Sequence, residues 1–237
     1  MRRIVLASGK GGVGRSTLTA NLGLAIAKMK KVTVVLDASL TTPNLGLMFK
    51  LEKVLFTLND VLAGEASLGD AIYDGPFGLK IIPAGVTLEQ VKKAQPTRLP
   101  EVLNELPVKA DFLLIDAPGG LRSETIAALR TGREVLLVII PEIASTSNAM
   151  KTRLIAEFLG LKPIGIVTNR VRKEDFELKS DEIGRLLDLP ILARIPEDDT
   201  VRKALTNGKN VVDAYPNSPA SKAINELAGK ILKMKIK

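Results

Sequence analysis

The stretch Ser8-Gly9-Lys10-Gly11-Gly12-Val13-Gly14-Arg15-Ser16-Thr17 decides the fold. It stands between an apolar run at residues 4–7 and an apolar stretch read as a helix over 16–29. Glycines at 9, 11, 12 and 14 let the backbone curl so that successive N–H groups face one centre, and the helix that follows adds the positive end of its dipole. That combination suits phosphate oxygens. The spacing Gly9-x4-Gly14-basic-Ser16 is that of a P-loop, with the Ser16 hydroxyl offered to a magnesium ion. A glycine-rich strand–helix turn with no ligand is the plainer alternative; spacing and context both favour the P-loop.

Outward from this loop, short and continuously apolar runs recur at 4–7, 32–36, 79–82, 112–115, 135–140, 164–167 and 191–195. Strands covered by helices on both faces have this composition. Between them lie amphipathic stretches at 16–29, 98–106, 121–129, 148–159, 180–187 and 219–232. The alternation predicts an α/β fold: a single domain over 1–237 with a mostly parallel, doubly wound sheet flanked by helices, its ligands beyond the carboxyl ends of the strands. Two carboxylates fall at such ends. Asp37 closes the 32–36 run, and Asp116 closes 112–115 before Ala117-Pro118-Gly119-Gly120. Each could serve only as a strand-end or helix-cap Asp. Beside a P-loop they could instead converge on a magnesium ion, directly or through water.

Composition narrows the chemistry. The chain has 237 residues, with 34 Lys+Arg against 26 Asp+Glu, a net charge of +8, and neither His, Cys nor Trp. That excludes a Ser/His/Asp triad, a Cys nucleophile, a disulfide frame and an ordinary zinc or iron–sulfur site. Any metal must be held by oxygens, which favours magnesium or calcium. At this length roughly 70–75% of the unfolded surface is buried on folding. With 46% apolar and only 3% aromatic residues, the core is expected to be aliphatic. The absence of Cys fits a reducing interior, and scarce Gln beside abundant Lys and Glu hints at a hot habitat. The longest aliphatic run stops at Pro141, and the start of the chain has too short an apolar stretch for a signal peptide. The expected location is the cytoplasm.

At the level of motifs the chain resembles the MinD/ParA family of deviant P-loop ATPases, and within it the archaeal MinD-like members. The resemblance rests on Lys10 to Thr17, Asp37 with Asn44-Leu45, the turn from Asp116 to Gly120, and Asn169-Arg170 after a strand. Leu58-Asn59-Asp60-Val61-Leu62-Ala63-Gly64-Glu65 and Ile195-Pro196-Glu197-Asp198 extend it over nearly the whole chain. The resemblance implies ATP or ADP with magnesium as cofactors. Gly9 through Thr17 would bind the phosphates, with Lys10 as the signature lysine that reaches a partner's nucleotide in an ATP-sandwiched homodimer. Ser16, Asp116 and the supporting Asp37 would hold magnesium. Asn169 and Arg170 with Pro196, Glu197 and Asp198 would line the base. Segments 37–45 and 116–121 would be switches ordered by the γ-phosphate.

Two positions depart from the family pattern. Arg15 stands where the family has its P-loop lysine, replacing a compact ammonium by a planar fork. Ser39 stands where a second aspartate would orient the attacking water, and a hydroxyl cannot replace a carboxylate in polarising it. Lys10, Arg15, Asp37 and Ser39 are therefore the positions on which turnover depends. Binding of Mg-ATP with slow or absent hydrolysis is the expectation; a silent scaffold that recruits a protein partner, or an intact ATPase, are its competitors.

The charge bears on partners. Lys222, Lys230, Lys233, Lys235 and Lys237 stand against Glu226 alone, so half of the net excess lies in the last sixteen residues. Residues 224–232 have helical apolar spacing. Either that face docks on the sheet and leaves a lysine-rich end, or the tail is a weak anchor on an anionic membrane, with Leu232, Met234 and Ile236 dipping into the interface. A second basic group, Arg170, Arg172 and Lys173, serves the base rim or a solvated loop. Six Phe and two Tyr are too few for a single-strand nucleic-acid platform. Duplex DNA, as for ParA-like members, is the less favoured polyanion.

Overall fold

The computed structural model describes residues 1–172 and 174–234. Eight strands, β1 (Arg2–Ala7), β2 (Thr33–Asp37), β3 (Tyr73–Asp74), β4 (Lys80–Ile82), β5 (Phe112–Asp116), β6 (Glu134–Ile139), β7 (Lys162–Val171) and β8 (Ile191–Pro196), form one sheet in the order β3-β4-β2-β5-β1-β6-β7-β8. All neighbours are parallel except β3 on β4. The expected α/β architecture is what the chain adopts. The α-helices are α1 (Arg15–Lys28), α2 (Leu45–Met48), α3 (Leu58–Ala63), α4 (Leu88–Lys93), α5 (Leu99–Val102), α6 (Ser123–Thr131), α7 (Ile143–Phe158), α8 (Ser180–Leu187), α9 (Asp199–Thr206), α10 (Val211–Ala214) and α11 (Pro219–Lys233).

The sheet divides the core in two because side chains alternate along each strand. Val5 and Ala7 of β1 join Leu113 and Ile115 of β5 against α3, α5, α6, α7 and α8. Ile4, Leu6 and Leu114 face the other way, onto α1, α10 and α11. Helix α1 is buried from Leu18 to Ala27 because it lies between the sheet and α11, which explains its apolar character all round. This places its N-terminus beside the carboxyl end of β1, the central strand.

Several boundaries differ from the sequence expectation. The stretch 98–106 is not one helix: Pro96 and Pro100 start separate turns, and α5 has four residues flanked by 3₁₀ turns. Helix α7 begins at Ile143, directly after Pro141-Glu142, rather than at 148. Strand β7 extends at both ends of the expected 164–167. Strand β3 and the short helices α2, α3, α4, α9 and α10 were unanticipated. The cues for two of them are nonetheless present: Thr57 with Asp60, and Thr87 with Gln90, are capping boxes at the starts of α3 and α4.

The C-terminal helix bears out the docking reading of the 224–232 face. Ile224, Leu227, Ala228 and Ile231 are buried, and Leu232 and Met234 pack against the same cluster instead of facing outward for a membrane. Arg2 fixes the end of α11: its Nη1 donates to the Ile231 carbonyl at 2.6 Å while its Nη2 pairs with Glu134 at 2.8 Å. Lys235, Ile236 and Lys237, which complete the tail, lie outside the described residues, as does Lys173. Among the described residues no helix is long and apolar enough to cross a membrane.

Candidate nucleotide site

At the carboxyl ends of β1, β2 and β5 the loop from Gly9 to Gly14 turns into α1, whose first N–H groups have no carbonyl ahead of them in the helix. Gly14 is the helix N-cap, with φ of 82° in the left-handed region. A Cβ there would also run into the Asn169 side-chain amide, so backbone conformation and close approach both require glycine. Asn169, near the end of β7, donates from Nδ2 to the Val13 carbonyl at 2.8 Å and ties loop to sheet.

Two adjoining cavities share this loop. One, of about 280 Å³, is lined by Gly11, Gly12, Val13, Gly14, Arg15, Ser16, Thr17, Ser39, Thr42 and Gly119 among others. The second, of about 370 Å³, is lined by Gly12, Gly14, Thr17, Asn169, Arg170, Arg172, Pro196, Glu197, Asp198 and Val201 among others. Loop residues 11–17 and the group Asn169, Arg170 and 196–198 thus line neighbouring compartments, with Gly12, Gly14 and Thr17 common to both. A larger groove of about 870 Å³ between α8, β8 and α11 contains none of the motif residues.

The side chains have specific partners. Arg170 pairs through Nε with Glu197 Oε2 at 2.8 Å, which draws the ends of β7 and β8 together at the second cavity. Asp198 caps α9, accepting from Thr200 N at 2.9 Å, and also accepts from Ala220 N at 3.0 Å. Its place in the lining of the second cavity therefore coincides with a structural duty. Lys10 turns back on its own chain: Nζ lies 3.0 Å from Glu142 Oε2, both side chains being about half exposed.

The two strand-end carboxylates lie side by side, Asp37 and Asp116 being register partners on β2 and β5. Asp37 accepts the N–H of Ser39 at 3.0 Å on one oxygen and those of Asn44 and Leu45 at 2.9 Å on the other, which shapes the whole 38–45 loop. Burial, and next the Asp116 carboxylate, push its pKa up to about 7 against the opposing pull of those N–H donors. Asp116 accepts from Arg15 Nε at 2.6 Å on Oδ1, and Arg15 Nη1 also donates to Ser8 Oγ at 3.0 Å. Arg15 is thereby drawn inward and buried. The Ser39 hydroxyl lies 3.3 Å from Thr42 Oγ1.

Glu142 and Thr42 carry no role in the sequence reading and Ser8 only opens its loop, whereas Arg172 already stands there in the second basic group and lines the second cavity. Ser8 follows the end of an apolar run directly ahead of a loop, so the strand-end rule that picks out Asp37 and Asp116 would find it; Glu142 stands two residues past its run, at the N-cap of α7.

A magnesium ion can be tested against these residues. Among the described residues Asp116 Oδ2 is buried with no hydrogen-bond partner, an orphaned acceptor that wants a cation or a donor. The other assigned ligands, the Ser16 hydroxyl and Asp37, are also oxygen donors of the kind magnesium takes. The donor set fits.

The model of the ParA family, described as NUBPL iron-transfer P-loop NTPase, matches residues 1–232. The chain belongs to the ParA/MinD family of P-loop NTPases. An uncharacterised ATP-binding protein of Methanocaldococcus jannaschii is 45% identical over 97% of this chain and 87% of its own length. Among solved structures, the cell division ATPase MinD of Pyrococcus furiosus superposes with a TM-score of 0.95 at 39% identity, covering 99% of both chains. The septum site-determining protein MinD of Pyrococcus horikoshii, complexed with Mg-ADP, gives 0.94 at 38% identity, again over 99% of both. Of the family description only the P-loop part suits this sequence: with no Cys and no His, it lacks the side chains that hold iron–sulfur clusters.

Proposed function

We propose that this ParA/MinD-family chain is a MinD-like nucleotide switch that binds Mg-ATP, pairs with a second copy while ATP is bound, and turns ATP over slowly, in the service of cell division or spatial positioning. One observation carries the reading: residues 11–17 of the loop assigned to phosphate, and the residues assigned to base, line two cavities that join at Gly12, Gly14 and Thr17. Backbone N–H groups of 11–17 would bind the phosphates, and Asn169, Arg170 and residues 196–198 would hold the base. Ser16 and Asp116, with Asp37 behind them, would hold magnesium, which when bound neutralises phosphate charge. The cell-division role is supported by the names of the Pyrococcus relatives. Lys10, free to leave an exposed pair with Glu142, would reach the second copy's nucleotide.

Slow turnover follows from position 39. A serine hydroxyl beside Thr42 carries no charge with which to orient or deprotonate water. Calorimetric titration of the full chain with ATP, ADP and GTP in magnesium tests binding, and light scattering with ATP tests pairing. Tight adenine-nucleotide binding and a doubled mass with ATP are expected; absence of binding would overturn the reading. A steady-state rate typical of family ATPases would overturn its slow-turnover part.

For a partner surface, the lysine-rich C-terminus favours anionic membrane over DNA. With Leu232 and Met234 packed on the core, that attraction is chiefly electrostatic, about 1 kcal/mol per lysine near the surface. Two copies held by ATP would reinforce one another. Flotation with vesicles containing anionic lipid is expected to be ATP-dependent and lost in raised salt; equal flotation after deletion of 235–237 would reject the tail as the anchor.

A further inference from the structure

Arg15 occupies the position from which a P-loop cation would face the phosphates, yet its guanidinium is engaged elsewhere. Nε binds Asp116 Oδ1 at 2.6 Å and Nη1 binds Ser8 Oγ at 3.0 Å. Thr19 Oγ1 lies 3.4 Å from the same Asp116 oxygen and 3.0 Å from the Arg15 carbonyl, so the pair is framed by the next turn of α1. Gly119 closes over it: a Cβ there would stand 3.7 Å from Arg15 Nη1 and 3.2 Å from the Gly11 Cα. Asp116 is fully buried and Arg15 nearly so. Withdrawing the guanidinium would strand a buried carboxylate next to Asp37, an arrangement far costlier than the pair itself.

We propose that Arg15 is the resident counter-cation of Asp116, a positioning residue that compensates the metal-side carboxylate from within, so that this chain binds nucleoside diphosphate nearly as well without magnesium as with it. The inference rests on the nucleotide reading of the site. Its physical basis is repulsion. Two adjacent buried carboxylates would oppose an incoming diphosphate through a low-dielectric medium, and in their usual setting a metal ion relieves that opposition. Here the planar fork spans one carboxylate and the Ser8 hydroxyl at once, which a lysine ammonium on a flexible stem is less suited to do. Asp116 Oδ2 remains unpartnered, so a metal can still be accepted on the second oxygen without expelling Arg15.

The test is calorimetric titration of the full chain with ADP, in EDTA and in excess magnesium. The two dissociation constants are expected to agree within about fivefold, and a larger preference for the magnesium buffer overturns the proposal. In Arg15→Gln the EDTA constant should weaken by about tenfold more than the magnesium constant; an unchanged ratio overturns it. In the double variant R15Q/D116N, where the carboxylate that Arg15 compensates is gone, the ratio should return to the wild-type value, and failure to return counts against the proposal. Should Arg15→Gln fail to fold, Asp116→Asn decides: its ADP affinity in EDTA is expected to equal or exceed the wild type, and a weaker value overturns the assignment. Absence of ADP binding in every buffer would instead reject the nucleotide reading, a distinguishable result.

Discussion

Asp37 and Asp116 stand opposite each other on neighbouring parallel strands, yet their oxygens are satisfied in opposite ways. Asp37 has both oxygens filled by backbone N–H groups of the loop it organises. Asp116 has one oxygen on Arg15 and one with no partner. The first organises the 38–45 loop that walls the site, and the second keeps a buried, unpartnered acceptor beside Arg15.

Asp37 makes stability depend on pH. Its pKa is about 7 in the folded chain against a reference of 3.8, so the folded state holds a proton that the unfolded state releases. Stability from this group is complete below pH about 4 and is lost as pH rises through about 7. The chain has no histidine to titrate in that window. Urea midpoints in magnesium-free buffer are therefore expected to fall between pH 5 and pH 8, and to fall much less in Asp37→Asn. A flat profile in the wild type would contradict the assignment.

Gly14→Ala is expected to harm both stability and binding. The left-handed backbone alone costs an alanine about 1–2 kcal/mol, and its Cβ must displace the Asn169 amide from the Val13 carbonyl. Thermal unfolding and ADP titration would read the two effects. Asn169→Ala, which removes the tie and with it the contact assigned to the base, should cost about 1 kcal/mol of stability and also weaken ADP binding.

Arg2→Ala should loosen the C-terminal helix without touching the cavities. It removes a charged hydrogen bond to the Ile231 carbonyl and leaves Glu134, itself largely buried, without its cation. A loss of about 2–4 kcal/mol is expected from denaturant unfolding, with ADP affinity unchanged. Amide exchange should quicken first in the last turns of α11.

Ser39→Asp restores a carboxylate where water activation needs one. A rise in steady-state ATP hydrolysis of about tenfold or more is expected. An unchanged rate would place the limitation elsewhere in the site.

Much of this was legible in the residues. The alternation of apolar runs with amphipathic stretches led to the sheet, and the glycine loop to the segment that both cavities share; the strand-end aspartates lie buried side by side, in the lining of neither. What escaped were elements too short for periodicity to register, such as β3 and α10, and the helix breaks imposed by Pro96 and Pro100. The tail was ambiguous because a docking face and a membrane-dipping face have the same spacing. Packing of Leu232 and Met234 on the core resolved it.

The sequence by itself determined the fold class, the P-loop and the absence of any thiol or imidazole chemistry, because these follow from local spacing and from which residue types are present. Only the tertiary structure decided what Arg15 does. Nothing in the order of residues says whether a P-loop cation faces the phosphate or a carboxylate 101 positions away. That depends on how close β5 lies to the first turn of α1, and on the cost of burying Asp116 with no cation beside it.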